Sequence, residues 1–88
     1  MAMSDDKLFD ASTAAYREAT RAAGIWPRYH SAHEALGVLL EEVDEFQRIV
    51  FLKQEDRDLD AMRKEAIQIA AVALRIAAEV CDEEVGRQ

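Results

Sequence analysis

Wound as a helix at ~100° per residue, the segment 62–77 is apolar around more than half of its circumference. Met62, Ala66, Ile67, Ile69, Ala70, Ala73, Leu74, Ile76 and Ala77 make up the arc. A helix with so wide an apolar arc needs cover from more than one side. The 88-residue chain offers two other amphipathic segments for this purpose, and a core that small is marginal. The expectation is therefore an all-α homodimer, with helices of two chains forming one bundle. Three glycines and one proline in a chain that is half hydrophobic favour helices and argue against disorder.

The first predicted helix runs from about Asp6 to Ala23, with Leu8, Phe9, Ser12, Ala15, Tyr16 and Ala19 at three- and four-residue spacing. Gly24 reads as its stop, and Pro27 blocks resumption. "GIWPRYH" is a short connection. Ser31 then opens the second helix, and "SAHE" is a capping box in which Glu34 reaches back. Leu36, Leu39, Val43, Phe46 and Val50 form its apolar face, and its end is expected near Gln54. After the polar turn "QEDRD", the third helix covers about Leu59–Val80. The result is one domain over residues 1–88: a helical hairpin preceded by an N-terminal helix.

The net charge of −7 leaves no basic stripe for phosphates, so duplex nucleic acid is not an expected partner. The longest apolar run is broken by Gln68 and Arg75, so no membrane span is expected. Cys81 is the single cysteine, and "MAMSDDKLFD" lacks an apolar signal core. A cytoplasmic protein is expected.

"EEVDE" at residues 41–45 packs four acids into five positions. Helix geometry separates them. Glu41 and Asp44, with Arg48, fall opposite the apolar centre and should be solvated. Glu42 and Glu45 lie on a stripe with Val38 and Ile49, where unpaired ionised carboxylates are costly. On the third helix Glu65 lies beside Ile69, Val72 and Ile76, with Gln68 nearer the polar edge. Antiparallel packing reflected about residues 56–57 brings Glu45 level with Gln68 and Glu65 level with Arg48. Glu42, Glu45, Glu65 and the Gln68 amide oxygen then share one groove. Such an all-oxygen set suits Mg²⁺ or Mn²⁺. Zinc is disfavoured without a thiolate or imidazole at suitable spacing. The competing reading is a solvated acidic face.

"EEVDE" fits E-E-x-x-E, and "EAIQ", after nineteen intervening residues, nearly fits E-x-x-D. Over roughly Ser31–Glu79 the chain resembles the MazG-like branch of the all-α nucleoside triphosphate pyrophosphohydrolases. The resemblance implies a helical dimer or dimer of dimers that uses Mg²⁺ to hydrolyse a nucleoside triphosphate to monophosphate and pyrophosphate. It makes Glu42, Glu45 and Glu65 metal ligands and sets Gln68 where the family has its last acidic ligand. Glu41 matches the first motif acid, and Glu41, Glu42 and Glu45 are the candidates for taking the proton of an attacking water. Gln68 removes one negative charge from the site. Two alternatives follow: a degenerate site that binds metal or nucleotide without turnover, and a purely structural helical dimer.

Arg75, the one cation within the apolar third helix, either reaches phosphate oxygens or pairs with Glu79. Lys53, Arg57, Arg63 and Lys64 cluster around the turn, as phosphate contacts or as solubilising charges. Trp26 stacks on a base or anchors the connection in the core, and the anchor is the expected role. His30 and His33 read as local helix-start residues. Cys81 reads as an inert, partly buried small residue.

Overall fold

The computed structural model describes residues 2–81, with side chains from Asp6 onward. It is all-helical: α1 (Ala2–Ile25), α2 (Ala32–Val50), a 3₁₀ turn (Gln54–Asp56), α3 (Leu59–Arg75) and a π-helical segment (Ile76–Cys81) that continues α3. α1 continues through Gly24, and the Trp26 N–H still donates to the Ala22 carbonyl at 2.8 Å. Pro27, not Gly24, ends it. No described glycine has a positive φ, whereas proline lacks an N–H and restricts the residue before it.

The capping box forms at the start of α2. Ser31 Oγ accepts the Glu34 N–H at 3.0 Å, and Glu34 Oε1 accepts from the His30 N–H at 2.5 Å. The return bond thus goes one residue ahead of the cap. α2 ends at Val50, earlier than the expected Gln54. Arg57 Nε donates to the Val50 carbonyl at 3.1 Å, satisfying one of the orphan carbonyls of its last turn. Asp58 caps α3 by accepting the Asp60 and Ala61 N–H groups at 3.0 and 3.1 Å. The expected third helix continues as helix to Cys81, but its winding loosens to π geometry from Ile76.

α3 is the middle element. α1 and α2 each pack against it and make little or no contact with each other. The radius of gyration is 14.8 Å, against about 12 Å for a compact chain of this length. Two companions do not close the wide arc of α3. The buried apolar residues are alanines and valines: Ala15, Ala19, Ala35, Ala71, Val72 and Val80. Among the described residues, no large side chain is fully buried. Leu36, Leu40 and Val43 on α2, Leu8, Phe9 and Tyr16 on α1, and Leu74 on α3 are exposed. The α2 face read as core from the sequence is therefore split. Leu39, Phe46 and Val50 are half-buried, while Leu36 and Val43 face outward.

Two smaller expectations are corrected. Trp26 is 61% exposed, so it does not anchor the connection in the core. Cys81 is exposed rather than partly buried. Among the described residues, no helix is long and apolar enough to cross a membrane.

Candidate metal centre

The α2–α3 hairpin brings three of the four expected ligands together. Glu42 and Glu45, one turn apart on α2, meet Glu65 from α3, and a carboxylate oxygen from each lies within 4.8 Å of the others. Glu42 and Glu65 are half-buried, and Glu45 is exposed at the mouth. Glu65 Oε1 is buried without a hydrogen-bond partner. Burial pushes the Glu42 carboxyl up to about 7, and Glu65, Glu45 and Glu41 add to the effect. Glu45 is also raised, first by the charge of Glu65 and then by their close contact, with Arg48 opposing. Three carboxylates in this geometry repel unless a proton or a cation intervenes. An oxygen-only set with an orphaned buried acceptor fits a hard divalent ion.

The remaining predicted residues lie elsewhere. Gln68 lines a groove between α1 and α3, where the Glu18 carboxyl is held below the usual range first by Arg21 and, to a lesser degree, by the Gln68 side chain. It faces α1, whereas Glu65 turns toward α2. Lys53 is exposed just before the 3₁₀ turn. Arg63 and Lys64 line the α1–α3 groove with Gln68. Asp44 is exposed and pairs with Arg48 at 2.7 Å, as helix geometry predicts. Glu41 is exposed and forms part of the wall of a separate cavity of about 480 Å³. Trp26, Tyr29, His30, Glu34 and Val38 also line that cavity. His30 Nδ1 lies 3.8 Å from Glu34, consistent with a helix-start role.

Arg75 has the partner read as the alternative to phosphate. It is 7% exposed. Its Nε donates to Glu79 Oε2 at 2.6 Å, and its Nη2 donates to Glu79 Oε1 and to the Pro27 carbonyl, each at 3.1 Å. Its guanidinium also lies 4.5 Å from the centroid of the Tyr29 ring. The i,i+4 pair was visible in the sequence. The link to Pro27 and Tyr29 was not, because it joins residues nearly fifty positions apart with no local pattern. Burial raises the Tyr29 hydroxyl. Arg75 opposes this, while Glu79, Glu34 and Glu42 add to it.

No protein-family model, curated protein or solved structure matches this chain.

Proposed function

We propose that this chain is a MazG-like pyrophosphohydrolase. It would hydrolyse a nucleoside triphosphate to the monophosphate and pyrophosphate with Mg²⁺, or Mn²⁺ in its place. Glu42, Glu45 and Glu65 would hold the ion. The observation that carries this reading is the convergence of these three carboxylates from two helices, with Glu65 Oε1 buried and unpaired. A divalent ion there supplies charge neutralisation for phosphoryl oxygens. The cavity lined by Trp26, Tyr29 and Glu41 offers the nucleotide a lodging of suitable size. The exposed Trp26 face is free to stack on a base. Glu41 stands outside the triad, so its carboxylate is uncommitted and suited to accept a proton from water.

The working unit in this reading is a homodimer. The exposed face built by Leu8, Tyr16 and Leu74 around the alanines of α3 supports it, since no large side chain among the described residues is fully buried.

One observation favours a second reading, in which the site binds metal or nucleotide without turnover. Gln68 turns toward Glu18 and leaves three carboxylates where the related motif has four. Pyrophosphate release from a panel of standard and oxidised nucleoside triphosphates, with and without Mg²⁺, separates the two. The first reading predicts Mg²⁺-dependent release. Glu65→Gln should lower it by more than the roughly 10–100-fold cost of losing an outer-shell partner. Binding of metal or nucleotide with no release from any substrate favours the second. Absence of metal binding removes the first, and absence of both metal and nucleotide binding removes both.

A further inference from the structure

Arg75 is the only buried charged residue among those described. Arg75 and Glu79 form a fork-on-fork pair through two hydrogen bonds. The bonds this pair makes to residues outside its own helix, among those described, go to one short segment. Arg75 donates to the Pro27 carbonyl and lies against the Tyr29 ring. Glu79 Oε1 accepts from the Tyr29 N–H at 3.2 Å, and the Glu79 carbonyl accepts from Arg28 Nη2 at 3.0 Å. The connection between α1 and α2 has no helix of its own, yet it is tied to the third helix across about fifty residues of sequence. That same connection supplies Trp26 and Tyr29 to the cavity beside Glu41. Glu79 stands in the π-helical segment, and π geometry recurs where helices are adapted for a site. Arg75, in contact with this segment and with the cavity, touches neither Glu42 nor Glu65 through any hydrogen bond or ion pair.

We propose that the Arg75–Glu79 pair is a positioning clamp that fixes Trp26–His30 as one wall of the ligand cavity, independently of the carboxylate triad. The clamp gives the cavity its shape, and the triad gives the site its charge. In terms of the pyrophosphohydrolase reading, on which its ligand rests, breaking the clamp weakens nucleotide binding and leaves metal binding in place. The charge states suit a permanent clamp. Arg75 holds Glu79 below the usual carboxylate range, helped by the Tyr29 N–H, and Arg75 itself is raised by Glu79.

Trp26 is the sole tryptophan and lines the cavity, so its fluorescence reports on the wall directly. The experiment compares the parent with Glu79→Gln and Arg75→Lys. It measures acrylamide quenching of Trp26, the thermal shift produced by Mg²⁺, and the affinity for α,β-imido nucleoside triphosphate analogues. The proposal expects each variant to quench more readily, to retain the parent's Mg²⁺ shift, and to bind the best analogue at least about tenfold more weakly. If the parent binds no analogue but the variants still quench more readily, the clamp stands and the pyrophosphohydrolase reading fails. If quenching and affinity match the parent, the proposal is overturned. It is also overturned if both variants lose their helical circular dichroism, because the pair is then a determinant of folding rather than of the cavity.

Discussion

Glu42 carries two opposed physical demands. It is half-buried, which disfavours its charge, and Glu65 and Glu45 crowd it with more negative charge. Without metal, its carboxyl is raised to about 7 from the ordinary 4.5. The folded chain then binds more protons than the unfolded one between about pH 4.5 and 7, so stability falls as pH rises through that window. Thermal unfolding of metal-free protein should show its midpoint decreasing from pH 5 to pH 8, with Mg²⁺ restoring it most at the upper end. Glu42→Gln should flatten both responses and raise the metal-free midpoint at pH 8, because it removes a charge that repels its neighbours. A metal-free midpoint insensitive to pH in the parent would contradict the crowding. At this scale the sequence was informative about angle and silent about depth. The stripe shared with Val38 and Ile49 placed both Glu42 and Glu45 at the edge of the core; Glu42 is half-buried there, but Glu45 is exposed, as Glu41 and Asp44 are. The orientation of Gln68 was not legible. A residue at the edge of the apolar arc can serve either groove flanking α3, and Glu18 and Arg21 on α1 lie on the side it takes.

The helices are delimited by local chemistry, and their ends test it. Ser31 satisfies the Glu34 N–H at the start of α2. Ser31→Ala should cost about 1 kcal/mol, or roughly 4–8 °C in unfolding midpoint for a domain of this size. Gly37 lies within α2, and a Cβ added there meets nothing within 4 Å. Gly37→Ala should therefore stabilise by about 0.4–1 kcal/mol, read from chemical denaturation. A loss of stability would mean that this face is covered in the native assembly. The starts of α2 and α3 were legible because capping residues act over three positions. The ends were less so. The last turn of α2 is closed by Arg57, seven residues beyond the carbonyl it caps. α1 outlasts Gly24 because the proline is the stronger constraint. The π segment is the largest departure, and its Arg75–Glu79 pair is bonded to residues 27–29, which periodicity within one helix does not reveal.

At the scale of the molecule, the wide arc of α3 is partly covered. Helices lie on two sides of it, and among the described residues the buried apolar set holds nothing larger than valine. A groove of about 710 Å³ lined by Leu8, Tyr16, Ile67 and Leu74 lies open along the α1–α3 face. The dimer proposed above should appear in sedimentation equilibrium as twice the 9.9 kDa chain mass. Leu74→Asp should shift it toward monomer and lower the unfolding midpoint, since an unpaired charge at an apolar contact is costly. A parent that sediments as a monomer while retaining full helicity would contradict the dimer. The architecture itself followed from the sequence because three amphipathic segments with short connections have few ways to pack. Which face stays open did not follow, because the apolar stripe of α2 is wide enough to present Leu39 and Phe46 toward the interior and Leu36 and Leu40 outward.

The divalent-cation site proposed for Glu42, Glu45 and Glu65 is tested most directly by calorimetric titration of Mg²⁺ into the protein at pH 8, above the raised Glu42 value. The predicted result is saturable binding that weakens as pH falls through about 7 and disappears in Glu65→Gln. Heats indistinguishable from dilution, or binding unchanged in Glu65→Gln, would contradict it.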